Sequence, residues 1–397
     1  MFMTTKKTPL PQAPKRRLSW NDPGVRAIIY QGLILGIVGL AVWYLVSNTL
    51  YNLAARNIST GFGFVNREAG FAIGESIIPY TPADTYGRAI WVGLINTLRV
   101  SVVGIIAATL FGTLLGIARL SKNWLLSRVA SAYIEVMRNI PLLLQLFFWY
   151  AIITESMPGP RQALHPLPGV FISNRGLKLP SLQGDALDWM VAGLALAIVG
   201  IVVIAHWARK RQDATGKIFP LVRVGLALLI ALPVAGWLLS GASLTVELPE
   251  LKGFNFIGGL SMSPEFTALL AGLVMYTSAF VAEVVRSGIQ SVNQGQWEAA
   301  GAIGLSRARM LRLVILPQAL RVIVPPMTSQ YLNLTKNSSL AVAIGYPDIV
   351  SVVNTTLNQT GQAIEGILII MAAYLTVSLS ISIFMNWYNK RIALVER

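Results

Sequence analysis

The chain has no cysteine and only two histidines. The first absence excludes disulfide bridges, thiolate nucleophiles and thiolate-held metals. The second leaves too few imidazoles for a zinc site of the usual kind, so no metal and no cofactor is expected. His165 sits in a proline-rich connection and His206 near a helix end, and both read as surface residues. Charge is scarce as well. Only 12% of the 397 residues are Asp, Glu, Lys or Arg, about half the ~25% of a soluble domain. With 54% hydrophobic residues and a mean hydropathy of +0.60, the composition excludes a disordered chain and an ordinary soluble globule. No serine has the histidine and aspartate context of a hydrolase nucleophile. The G-x-x-x-x-G-K-[ST] phosphate loop is missing too, because Gly216-Lys217 is followed by Ile218 and lacks the earlier glycine. The chain therefore reads as no enzyme.

What is present is a series of apolar segments, each near the roughly 20 residues that cross a bilayer. Eight helices are expected, over 27–47, 90–118, 131–154, 189–207, 219–240, 266–288, 319–343 and 366–388. The first run is too long, and begins too far into the chain, for a cleaved signal segment, and is expected to remain as a helix. The seventh contains Pro325, Pro326, Asn333 and Lys336, so a kink or break is expected there. The fold class is an all-α polytopic membrane protein.

The net charge of +15 would suggest nucleic acid in a soluble protein. Its placement says otherwise. Of the 32 Lys and Arg residues, 21 fall in the tails and in alternate connections that share one side, and 7 fall on the other. That asymmetry puts the basic side and both termini in the cytoplasm, with no basic face for nucleic acid. The resulting organisation is a basic tail over 1–26, a leading span over 27–47, an outer loop over 48–89, spans and loops over 90–388, and a short tail over 389–397. The first tail, with Pro9, Pro11 and Pro14, reads as flexible.

The longest inner connection carries a pattern of its own, GQWEAAGAIGLSRARMLRLVILPQALRVIVPP, from Gly295 to Pro326. Glu298, Ala299 and Ala300 open a short helix of strong formers. Gly304 permits the left-handed turn that ends it. Ser306 is placed to cap a second helix, polar at Arg307, Arg309 and Arg312 and apolar at Met310, Leu311, Val314 and Ile315. Pro317 is expected to stop or kink that helix where the chain re-enters the bilayer. A small-residue elbow lying at the membrane surface suits a groove on a partner.

Glu298-Ala299-Ala300, three residues, Gly304, nine residues, Val314, one residue, then Leu316-Pro317 resembles the EAA loop of the permeases of bacterial ABC importers, with Val314 at a position usually Ile. The stretches Tyr276–Gln296, Pro317–Arg321, Leu334–Leu340 and Glu135–Gln145 are similar to the polar-amino-acid branch, although Asn139-Ile140 replaces the more usual Gly-Thr. The resemblance covers the permease core over 90–155 and 266–388, with the loop at 295–317. An insertion over 156–265, with two extra spans, and the leading helix are similar to the Q-type subunits of general L-amino acid transporters and their glutamate, glutamine, aspartate and asparagine relatives.

The resemblance implies a type I importer permease of the bacterial inner membrane, surrounded by lipid. Its implied partners are a dimer of ATP-binding subunits, a second homologous permease as a heterodimer, and a periplasmic amino-acid-binding protein. It gives Glu298, Ala299, Ala300, Gly304, Leu316 and Pro317 the role of coupling loop. Ionisable groups within spans are further candidates for a path or gate. Glu283 and Lys336 stand in that position, Lys336 with the polar Asn337 and Ser338 after it, and Glu283 and Arg286 share a helix face. Arg138 and Arg286 read as snorkelling to the inner interface. The alternative is an ion-coupled secondary transporter, for which Glu283 and the interrupted seventh helix are the support. Gly112 and Gly116 form a G-x-x-x-G pattern that permits close helix approach.

Overall fold

A computed structural model gives the fold and describes residues 23–55, 60–184, 186–216, 219–241 and 243–392. The sequence reading of a flexible tail falls almost wholly outside these residues. Twelve α-helices are present among them. Seven helical segments are long and apolar enough to span a membrane, or eight if one bent pair counts as a single span.

The described chain forms two units. The first contains helix α1, Pro23–Ala55, whose aliphatic side chains are exposed along its whole length, as suits contact with lipid. At about 1.5 Å per residue it extends ~50 Å, well beyond the hydrocarbon layer. In the same unit the Gly61 amide donates to Glu365 at 2.5 Å.

The second unit is organised around α7, Pro264–Gln290. Ser263 caps it by accepting from the Phe266 amide at 3.0 Å, and Pro264 occupies the first turn, where its missing N–H costs nothing. Around α7 pack α2 (Tyr86–Arg119), α3 (Trp124–Asn139), α4 (Leu142–Ala151) and α10 (Leu316–Asn337). Glycines set the distances. A Cβ on Gly112 would lie 2.7 Å from the Ser278 carbonyl oxygen, and one on Gly116 would lie 2.7 Å from that of Ala282. The G-x-x-x-G of α2 is thus the surface on which α7 lies. Ile134 of α3 is buried against Ala279 and Ala282 of α7.

Two expectations need correction. The segment expected to cross as one helix over 131–154 is α3 and α4, bent by 105°. Pro141 sits at the break, where it removes a backbone donor and forces Ile140 into extended geometry. Conversely, α10 continues unbroken through Pro325 and Pro326. Its irregularities lie at the ends, as a π turn over Leu311–Ile315 and a 3-10 helix over Ser338–Ile344. Beyond it come α11 (Ile349–Thr360) and α12 (Ala363–Ile392).

Residues between α4 and α7, which read only as loops and two spans, also contain strands. β1 (Leu164–Leu167), β2 (Val170–Ser173) and β3 (Gly176–Leu179) are joined antiparallel by β8 (Leu260–Met262). β4 (Ser181–Gln183) pairs with β5 (Thr245–Glu247), and β6 (Glu250–Lys252) with β7 (Asn255–Ile257). Between these lie α5 (Ala186–Thr215) and α6 (Leu221–Ser240), which pack closely on each other at Gly193 and Gly236. Among the described residues neither has an extensive contact with α2, α7 or α10. The outgoing and returning chains therefore meet in the β3–β8 ladder, with Leu179 opposite Leu260. That closure isolates the insertion from the helices around α7.

The pairing generates a prediction. Replacing residues 180–259 by Asn-Gly should convert β3 and β8 into a two-residue hairpin. The shortened chain is expected to insert in membranes and to melt cooperatively in detergent, as circular dichroism can record. Aggregation of this variant would show that α5 and α6 support the rest of the unit.

Candidate functional site

The elbow has a defined local cause. Asn293 starts α8 (Gln294–Ala302) by accepting from the Gly295 amide at 2.8 Å. Gly304 ends it at φ +75°. The Leu305 amide donates to the Ala300 carbonyl at 3.2 Å and the Gly304 amide to that of Gly301 at 3.0 Å. These are the two bonds of a Schellman closure, which needs a residue that tolerates the left-handed region. Ser306 then takes the N-cap position of α9 (Arg307–Met310), but its hydroxyl makes no capping bond. The expected stop at Pro317 is absent. The π turn Leu311–Ile315 leads straight into α10, with Pro317 in its first turn. Because Pro317 has no N–H and its ring crowds the carbonyl four residues back, the widened turn fits the chain to it.

One face of the elbow is anchored and the other is free. Ala300 is 3% exposed. Trp297, Met310 and Val314 pack with Val285 of α7, Ile315 at the end of the π turn and Ala319 of α10. Gln318 donates to Gln296 at 3.2 Å, tying the two arms. Glu298, Ala299, Gly304 and Leu316 are exposed, and Pro317 is half-buried. Ile303 at the tip is 74% exposed. It escaped the sequence reading because a single Ile in an apolar chain carries no signal; only the turn at Gly304 lifts it from the surface.

Beneath the elbow the candidate Glu283 is held by two arginines. Arg119, in the last turn of α2, approaches one carboxylate oxygen at 2.5 Å, and the Arg286 Nε donates to the other at 3.0 Å. Arg119 also lies 3.9 Å from Glu135 of α3, and its carbonyl accepts from Ser127 at 2.9 Å. Glu283 thus joins α2, α3 and α7 at their elbow ends. Arg119 is 164 positions away in sequence, and nothing local to it marks it as the partner.

Lys336, Asn337 and Ser338 lie elsewhere. α10 runs antiparallel to α7, since Ala319 and Ile323 meet Gly288 while Leu334 meets Leu270 by way of Gly104. The three residues are therefore at the opposite end of the bundle from Glu283, and they do not form one site with it. Lys336 is exposed in the last turn of α10, where a cation complements the helix end. Ser338 is buried, donates to the Thr335 carbonyl at 2.7 Å, and lies 3.5 Å from the Tyr374 hydroxyl. That hydroxyl donates to Asp348 at 3.4 Å. Asp348 is 0% exposed and caps α11 by accepting from the Ser351 amide at 2.8 Å. Burial pushes its carboxyl up to about 7, against the lowering effect of the amides of Ser351 and Val350.

A second charged group lies at this end. Arg99 of α2 is 2.5 Å from Glu75 and stacks 4.2 Å from the Phe266 ring centroid. Lys178 of β3 is buried and donates to Ser261. Burial holds its amine below the usual lysine range, with Glu75 acting in the opposite sense. Among the described residues no cluster of His, Asp and Glu suits a metal ion.

Comparison with known proteins adds the following. The family described as binding-protein-dependent transport system inner membrane component matches residues 218–394. The chain is 48% identical over 383 residues to the general L-amino acid transport system permease protein AapQ of Rhizobium johnstonii, covering 96% of each chain. It is 50% identical over 386 residues to the putative amino-acid ABC transporter permease protein YhdX of Escherichia coli, covering 96% of this chain and 98% of that one. It is 41% identical over 409 residues to the glutamate/glutamine/aspartate/asparagine transport system permease protein BztB of Rhodobacter capsulatus, covering 95% and 96%.

Two predictions come from these groups. Glu283→Gln leaves Arg119 and Arg286 without their anion. The pair is partly buried, so a loss of about 1–2 kcal/mol is expected, below the 3–5 of a fully buried pair. Arg119→Lys should lose less. Thermal melting of the detergent-solubilised protein reads both. Asp348 has a raised folded pKa, so the stability it contributes is complete below its ordinary 3.8 and is lost as pH rises through about 7. Asp348→Asn keeps the cap and should flatten the decline in melting temperature across that window. An unchanged slope would show that Asp348 does not carry it.

Proposed function

The chain belongs to the family of inner-membrane permeases of binding-protein-dependent amino-acid transport systems, and on that premise we propose that its elbow couples a separate ATPase to the import of L-amino acids. It is a multi-pass protein of the inner membrane and a subunit of an ABC importer. In this reading a periplasmic binding protein delivers the amino acid, this chain and a second homologous permease form the path, and a pair of ATP-binding subunits hydrolyses ATP on the cytoplasmic side. Both termini and the elbow face the cytoplasm, in line with the bias of Lys and Arg toward that side. Broad or acidic and amide side-chain specificity is the substrate class that the relatives' names suggest.

The observation that carries the proposal is the elbow's construction. Its outer face, with Glu298, Ala299 and Gly304, is exposed and without a side-chain partner among the described residues, and its tip presents Ile303. Its second arm leads directly into α10, with no loop between them. A displacement of the second arm therefore reaches a membrane span without slack, and α8 is tied to that arm by Gln296 and Gln318. ATP binding favours one arrangement of the spans only through contacts that differ between two states, and this face supplies them. Glu283 then acts as a tie, joining the elbow end of α7 to α2 and α3. The secondary-transporter reading loses its two supports here, because the charge of Glu283 is paired with Arg119 and Arg286 and the seventh span continues unbroken through Pro325 and Pro326.

Gly304→Pro, Glu298→Lys and Ile303→Asp are each expected to reduce amino-acid uptake to background in cells, with the protein at normal level in the membrane fraction. Uptake by the unaltered transporter should survive collapse of the proton gradient and stop when ATP is depleted. Normal uptake by all three variants would remove the coupling role.

A further inference from the structure

Beside the elbow lies a cavity of about 860 Å³, toward the upper end of the roughly 300–1,000 Å³ typical of small-molecule pockets. One wall is the end of α2, its link to α3 and the first turn of α3, with Ile117, Leu120 and Leu126. The other is the elbow and the start of α10, with Trp297, Leu311 and Leu316. Three cations line it as well: Lys122, Arg307 and Arg312. Among the described residues no acidic side chain does. Among the described residues none of the three cations forms an ion pair, whereas nearby Arg119 and Arg286 are both engaged by Glu283. The groove therefore combines apolar walls with positive charge that no ion pair among the described residues neutralises, at the ends of membrane-spanning helices.

We propose that this groove holds one anionic phospholipid, with the acyl chains along the aliphatic walls and the phosphate against Lys122, Arg307 and Arg312. The proposal rests on the placement of the elbow at the cytoplasmic surface given above. The chemistry follows from the two halves of the lining. Aliphatic walls give no grip on a free inorganic anion, and unneutralised cations give no preference for a neutral lipid. Basic side chains at an anionic membrane surface each favour binding, and long stems let the charged ends reach the headgroup layer while lying along apolar surface. Because the lipid would touch both the α2–α3 link and the second arm of the elbow, the anionic fraction of the membrane would bear on the stiffness of the coupling element.

The full chain, purified in mild detergent and mixed with equal amounts of phosphatidylglycerol and phosphatidylcholine, can be examined by native mass spectrometry. A retained phosphatidylglycerol is expected, favoured by about tenfold or more over phosphatidylcholine, as three basic contacts suggest. The triple substitution Lys122→Gln, Arg307→Gln, Arg312→Gln should remove the preference. Arg309→Gln, on the same short helix but not lining the groove, should keep it. Leu126→Trp, which narrows the groove at an exposed position, should lower retention of both lipids. Equal retention of the two lipids, or an unchanged preference in the triple variant, would overturn the proposal. Displacement by millimolar inorganic phosphate would also overturn it, since that marks an anion site without acyl contacts. So would a triple variant that keeps its lipid but no longer copurifies with the ATP-binding subunits, because the cations would then belong to a protein interface. Gly304→Pro separates the two readings: it should retain the lipid, so loss of coupling and loss of lipid are read independently.

Discussion

Close backbone approach between α2 and α7 is the constraint on which the second unit depends. Lipid tails are as apolar as leucine, so helices in a bilayer gain little by burying aliphatic side chains against each other. What holds them is the number of atoms brought into contact. Gly112 and Gly116 let α2 lie against the backbone of α7 at Ser278 and Ala282. Gly272 and Gly288 do the same for Leu146 of α4 and Ile323 of α10. With those four positions filled by glycine, α7 becomes the element that α2, α4 and α10 all touch, and the elbow's anchored face has a fixed floor.

On that floor the polar groups divide by end. Near the elbow, one carboxylate is shared between guanidiniums from two helices, and a third helix is drawn in through Glu135. At the far end, Arg99 with Glu75, and Asp348 with Tyr374 and Ser351, fasten the loops and α11 to the spans. In both places the ionisable groups find partners in the same chain, although the buried Oε2 of Glu75 accepts no hydrogen bond among the described residues. Such groups brace helix packing, and the exposed surface of the elbow is left to Glu298, Ala299, Ile303 and Gly304.

Much of this is legible in the sequence, for identifiable reasons. Spans announce themselves because a bilayer demands length and apolarity together, and Gly304 does so because few other residues tolerate its backbone. The spacing from Glu298 to Pro317 carries the family resemblance. Other features are silent. Hydropathy has magnitude but no direction, so the turn at Ile140-Pro141 hides inside an apolar run. Pro325 and Pro326 suggest a break that α10 does not have, while the real irregularity sits beside Pro317. The strands over 164–183 and 245–262 are three or four residues each, too short for a period of two to emerge. Arg119 could not be matched to Glu283 by any local rule, since the pair is made by the packing of α2 on α7.

The π turn between α9 and α10 has a geometric corollary. Along a regular helix the angular bearing of any residue is fixed by its distance in sequence, at about 100° per position. A π turn inserts one extra residue into that count. The compass heading of the elbow about the axis of α10 is therefore offset by one residue from the heading that an unbroken α-helix would give it relative to the side chains further along the same rod. A single rod thus carries two bearings, one for the elbow and another for the flank that faces the oil.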